Sequence, residues 1–197
     1  RAGVSYTVGR EANSQYGETY NGVQLMKGHQ FPDGIDPYQV PGDPESGLLW
    51  GISDEPLQPD GTGDDKIQAY NFRICLARQT ENRLPIERPA NYDSTRYELL
   101  LRLIEHNPER RFDSYFIWSM MPNDKTDINN RGGFSTDMIG MNHNFAEADY
   151  KTREQIVRQH ADYTKGLLYF MSYDERVPAH IRTEMQEWGY PKDEYVN

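Results

Sequence analysis

The stretch Ile67-Gln68-Ala69-Tyr70-Asn71-Phe72-Arg73-Ile74-Cys75-Leu76-Ala77 sets the reading of the chain. Successive side chains of an extended segment point to opposite faces. Tyr70, Phe72, Ile74 and Leu76 therefore share one face, and Ala69, Asn71, Arg73 and Cys75 the other. The first face is bulky and apolar; the second is small and polar with one cation. This predicts a strand with its apolar face in a core and its polar face along a cavity wall. A cation pointing inward from a strand must meet an anion or remain costly. Asn71 and Arg73 are accordingly candidate site residues, although an internal ion pair accounts for Arg73 as well.

Working outward, Val4, Tyr6 and Val8 alternate with Ser5 and Thr7, a short strand pattern ending at Gly9. Residues 10–22 read as a loop. Residues 29–65 are so rich in Pro and Gly that no regular element longer than a turn is expected there, 47–52 excepted. Phe31, Tyr38, Leu48, Leu49 and Trp50 within them predict an ordered, docked loop. A helix is expected over 95–106, with Thr95 and Glu98 at capping-box spacing and Tyr97, Leu100, Leu101 and Ile104 as its stripe. A strand is expected over 112–118 and a loop over 121–144. A long helix over 149–172 and a short one after Pro178, stopped by Gly189 and Pro191, complete the pattern. Strands and helices do not alternate regularly. The expected fold class is therefore α+β, with a mixed or antiparallel sheet, about three helices and long ordered loops.

The 197 residues carry 31 acidic and 21 basic side chains, a formal charge of -10, so no basic stripe is available for nucleic acid. The single cysteine, Cys75, excludes an internal disulfide framework and a cysteine metal cluster. No apolar run approaches the roughly 20 residues of a membrane span. His29, His106, His143, His160 and His180 show no metal-ligand spacing, and no metal is expected. The compartment is unknown from these features.

The densest polar constellation is Lys125-Thr126-Asp127-Ile128-Asn129-Asn130-Arg131-Gly132-Gly133-Phe134-Ser135-Thr136-Asp137. Asn amides both donate and accept, which suits a ligand rich in carbonyls and ring nitrogens. Its glycines let backbone N–H groups approach a flat or anionic ligand. On spacing alone, a solvated loop with Asx-turns fits these residues equally. His143, between Asn142 and Asn144, is the best acid–base candidate. His160, on the long helix, reads as a hydrogen-bonded residue at the core edge.

Several runs, in order and across nearly the whole chain, resemble the FAD-dependent oxidoreductase family. They are 5–11 with Tyr16-Gly17-Glu18, 67–76, 125–130 with 134–137, Glu147-Ala148-Asp149-Tyr150, 166–170, and Trp188-Gly189 with Lys192-Asp193-Glu194. Some bacterial relatives bear the label xanthan lyase. The resemblance implies a dinucleotide-binding domain with G-x-G-x-x-G, a second FAD-contacting segment, and a substrate domain between them. No G-x-G-x-x-G stands in this sequence, so residues 1–197 are expected to be a single substrate-side domain excised from a larger flavoprotein. Its partner would be the FAD-binding domain of the same parent chain. FAD would sit in the parent and not on this piece, which alone would be inactive. In that role Asn71, Asn129, Asn130 and Ser135 would contact the flavin. Arg73, Asp127 and His143 would serve the chemistry on a small-molecule or saccharide substrate. A non-catalytic carbohydrate-binding or lyase-associated module is the alternative.

Overall fold

The structure, a computed structural model, describes residues 3–26, 28 and 30–195; His29 lies outside them. The fold is α+β. Its strands form two-stranded antiparallel ladders, β1 (Tyr38–Val40) with β2 (Asp43–Leu48), β3 (Arg83–Leu84) with β6 (Tyr190–Pro191), and β4 (Ile117–Met121) with β5 (Lys125–Asn129). The helices are α1 (Asn13–Tyr16), α2 (Glu98–His106), α3 (Tyr150–Tyr173) and α4 (Ala179–Gln186), the first a single turn.

The β4–β5 hairpin keeps regular register from Ile117 opposite Asn129 to Met121 opposite Lys125. Asn123 and Asp124 take its corner at φ 63° and 51°, a left-handed backbone that Asn and Asp tolerate. Residues 67–77 run along the free edge of β5. Ile74 and Ile128 exchange backbone hydrogen bonds of 3.1 and 2.9 Å, and Ala77 bridges both Lys125 and Gly189. The expected continuous strand is thus a broken one. The Leu76 N–H donates to the Thr126 hydroxyl at 2.9 Å instead of to a carbonyl, which interrupts the ladder. Ile74 and Leu76 are buried as predicted, but Tyr70 and Phe72 lie upstream of the pairing and stay 41% and 39% exposed.

Other local expectations are also corrected. Residues 4–8 are irregular and exposed, not a strand. The β1–β2 hairpin lies in the stretch read as breakers, because Pro41 and Gly42 (φ 79°) are the corner of a hairpin whose flanks pair. The Asp36 carboxylate accepts from the Tyr38 and Gly42 N–H groups and holds that corner, which lowers its pKa; Arg102 contributes further. The helix at 95–106 begins as a 3-10 turn, Ser94–Tyr97. Its cap is Asp93, which accepts from both the N–H and the hydroxyl of Thr95, in place of the Thr95–Glu98 box. Residues Phe112–Tyr115 are a 3-10 turn, since the Ser114 hydroxyl returns to the Arg111 carbonyl at 2.6 Å. The strand follows at 117–121. A second strand, β5, crosses the stretch read as loop.

The core is one cluster contributed by α2, α3, α4 and the apolar face of the sheet. Leu100, Ile104, Leu167, Leu168, Met171 and Ile181 are among its fully buried members. Asp149 caps α3 by accepting from the Thr152 N–H. Aromatic rings join the layers: Tyr97 lies 5.8 Å from Tyr163 and 5.3 Å from Phe170, and Trp118 lies 5.2 Å from Trp188. The Tyr97 hydroxyl donates to the Tyr163 carbonyl at 2.9 Å. It can do so because residue 166 is glycine: a Cβ there would stand 2.1 Å from the Tyr97 oxygen. We predict that Gly166→Ala destabilises the fold by about 1–3 kcal/mol in urea denaturation through overpacking. Combined with Tyr97→Phe, it should cost less than the sum of the two single changes, whereas strict additivity would show that the two sites do not meet.

Candidate functional site

The polar face of β5 and the segment beside it builds the site. Along β5, Lys125, Asp127 and Asn129 share one face while Thr126 and Ile128 turn into the core. Across from them stand Asn71 and Arg73. In this register Asn71 reaches diagonally to Asn129, donating to its Oδ1 at 2.8 Å. Arg73 reaches diagonally to Asp127 with a two-pronged guanidinium–carboxylate pair, Nε to Oδ1 at 3.0 Å and Nη2 to Oδ2. The two sequence candidates on residues 67–77 and the two on β5 are therefore in direct contact.

Asp137 joins them. It accepts from Asn71 Nδ2 at 3.0 Å and from Asn130 Nδ2 at 2.5 Å. Sequence reasoning placed Asp137 in the constellation without giving it a role; a carboxylate among amides, within a few residues of them, was the available signal. With three amides tied to one carboxylate and to each other, some polar atoms remain open. Among the described residues, Asn129 Nδ2 donates to no protein group, and the side-chain oxygens of Asn71 and Asn130 accept from none. The arrangement offers one amide donor and two amide acceptors to its surroundings.

Ser135 and His143 are placed differently. Ser135 is buried, and its hydroxyl has no hydrogen-bond partner. Its backbone carbonyl accepts from the Tyr163 hydroxyl at 2.6 Å. Burial raises the Tyr163 pKa well above its ordinary value, so that donor persists at any working pH. His143 lines a separate cleft with Arg10, Glu55 and Lys66, and its Nδ1 accepts from the Ile67 N–H at 3.2 Å. Its neighbour Asn142 is fully buried and donates to the Gln68 carbonyl at 2.9 Å. Both residues thus fasten the start of the 67–77 segment. His160 is buried, with Nδ1 2.8 Å from the Ile156 carbonyl and Nε2 without a partner.

The far end of β5 is sealed. Lys125, 8% exposed, donates to Glu194 at 2.7 Å and Asp193 at 2.9 Å, and these bonds raise its pKa. The Arg73–Asp127 pair is open, with side chains 58% and 38% exposed. Cys75 is half-buried, and burial raises its thiol pKa, so it is not an activated nucleophile. Among the described residues no group of three or more His, Cys, Asp or Glu side chains could hold a metal ion, and no helix is long and apolar enough to cross a membrane.

The Asn71, Asn129, Asn130 and Asp137 cluster is an amide-rich polar face on an α+β scaffold. A family model described as FAD dependent oxidoreductase matches residues 1–197, and the chain belongs to that family. No curated protein and no solved structure matches it.

The amide cluster and the exposed ion pair make different contributions to stability. Exposed ion pairs give about 0–1 kcal/mol. Removing a partner from half-buried, multiply bonded polar groups costs about 1–3 kcal/mol. Asn71→Ala should therefore lower the urea midpoint clearly more than Arg73→Ala. The reverse order would mean that the guanidinium, not the amide, holds the two segments together.

Proposed function

We propose that this chain is the substrate-side region of an FAD-dependent oxidoreductase, with the Asn71–Asn129–Asn130–Asp137 face covering the flavin ring. The observation that carries the proposal is the set of open amide atoms on that face, held in place by Asp137. The donor can meet one ring carbonyl of an isoalloxazine and one acceptor can meet its ring N–H. Flavin supplies the two-electron redox chemistry; the protein positions and polarises it.

Each residue has a definable task. Asn129 donates to a ring carbonyl, and Asn71 or Asn130 accepts from the ring N–H. Asp137 fixes the amide orientations. Asp127 holds Arg73 in reach while the ligand is away. Because that pair is exposed, exchanging the carboxylate for another anion costs about 0–1 kcal/mol. The guanidinium can then stabilise negative charge on reduced flavin or on an anionic substrate. Tyr163 keeps the 133–137 segment against α3. His143, in its separate cleft, would act on substrate only where substrate reaches that cleft. We infer further that the pyrophosphate and adenine are held by a dinucleotide-binding domain of the same parent chain.

The test uses the flavin-loaded protein. Arg73→Ala should lower the reduction potential of the bound flavin and slow its reduction at least tenfold, with Arg73→Lys recovering part of both. Asn129→Ala should shift the visible absorption band of the flavin. Unchanged potential, reduction rate and spectrum across the three variants would remove this face from the ring.

A further inference from the structure

A second cleft, of about 660 Å³, opens between the 72–75 segment, the middle of α3 and the β3–β6 ladder. The volume lies within the usual range for small-molecule sites, about 300–1,000 Å³. Its floor is apolar: Ile74, Leu168 and Pro191 are buried there. Phe72 and Leu84 form walls and remain 39% and 47% exposed, so apolar surface faces the cleft uncovered. Exposed apolar surface of this kind gains free energy when an apolar body covers it.

The charge around this floor runs against the chain as a whole. The protein carries 31 acidic and 21 basic residues. The cleft is lined by three cations, Arg73, Lys165 and Lys192, and by one carboxylate, Glu194. Glu194 shares Lys125 with Asp193, at 2.7 and 2.9 Å, and Arg73 pairs with Asp127. Lys192 donates to the Glu81 carbonyl at 2.8 Å, a neutral group. Among the described residues neither Lys165 nor Lys192 forms an ion pair. Two unpaired ammonium groups therefore rim an apolar floor and leave this neighbourhood one positive charge in excess, in an otherwise acidic molecule. Low-dielectric walls strengthen such a field inside a cleft.

Tyr190 lines the cleft as well, and its hydroxyl is buried without a partner among the described residues. Burial pushes its pKa up to about 12, so it stays a proton donor. Two ammonium groups, with one charge in excess around them, suit a monoanion. A phosphate dianion would need backbone N–H groups or a free guanidinium fork, and the one fork here is engaged by Asp127.

We propose that this cleft binds an amphipathic monocarboxylate, with its apolar body on the Ile74–Leu168–Pro191 floor and its carboxylate between Lys165 and Lys192. The cleft shares Arg73 with the flavin reading, but the lysine pair that the test alters has no part in that reading and the test needs no flavin, so either can fail alone.

The probe is 2-naphthoate, titrated calorimetrically into the 197-residue chain. Its comparators are 2-naphthol and 2-naphthylmethylamine, which keep the apolar body and change the charge. Naphthoate should bind at least tenfold more tightly than either, and its affinity should fall with added salt. The double variant Lys165→Glu/Lys192→Glu should weaken naphthoate at least tenfold. Lys151→Glu, on the exposed start of α3, should leave it unchanged; circular dichroism confirms that both variants keep the fold. Equal binding of the amine, no binding of naphthoate, or an unaffected double variant would each overturn the assignment.

Discussion

The Tyr163 hydroxyl donates to the Ser135 carbonyl at 2.6 Å, and the Tyr163 carbonyl accepts from Tyr97 at 2.9 Å. The second bond requires the missing Cβ of Gly166, and it adds to the acceptor work the carbonyl already has inside α3. The chain Gly166, Tyr97, Tyr163, Ser135 thus ties α2, α3 and the loop bearing the amide cluster into one unit. Tyr163 is buried to 1% exposure and lies near Trp50 and Phe134 as well. A buried carbonyl left without its donor costs about 1–3 kcal/mol, much of a domain's total stability. The loop therefore cannot drift from the helix without losing more than its own contacts return.

That constraint explains how a loop rich in Gly and Asn can act as a rigid surface. Backbone freedom at Gly132 (φ 73°) lets the chain turn away from β5. Ser135 and Thr136, both buried, then bring Asp137 back beneath Asn130 and Asn71. The carboxylate accepts from amides on two different segments, so it sets the orientation of both. Amides are otherwise free to rotate by a half-turn at little cost. Here each has one end fixed, and the other end makes no hydrogen bond among the described residues.

The sequence was legible where side-chain pattern and burial coincide. The stripes of α2 and α3 are apolar on one side only, and both helices are where that pattern puts them. Ile74 and Leu76 are buried as alternation requires. The pattern misled where pairing rather than composition makes the element. β5 carries Lys125, Thr126, Asp127 and Asn129, so its residues look like loop, yet its backbone is paired on both edges. Pro41 and Gly42 look like breakers, yet they form a hairpin corner. Residues 4–8 alternate well but meet no partner edge. Within the site, Asn71 with Asn129 and Arg73 with Asp127 were readable as types in suitable places. Their pairing was not, because it depends on an antiparallel register that only the folded sheet fixes.

The polar face of β5 shows how the remaining freedom is distributed. At one end Lys125 is enclosed by Asp193 and Glu194, which pins the end of the chain to the sheet. At the other end Asn129 is held by Asn71 inside the amide cluster. Between them, the Arg73–Asp127 pair is exposed and makes its bonds largely to itself. Desolvation makes the enclosed ion pair hard to open, since a lone buried ammonium would be left behind. The exposed pair carries no such penalty. The face is therefore rigid at its two ends and exchangeable in the middle, and the exchangeable group is a guanidinium. Arg73 also lines the cleft beside α3, so the one cation able to change partners sits where the two surfaces meet. An anion reaching it from either side would compete with the same carboxylate, Asp127.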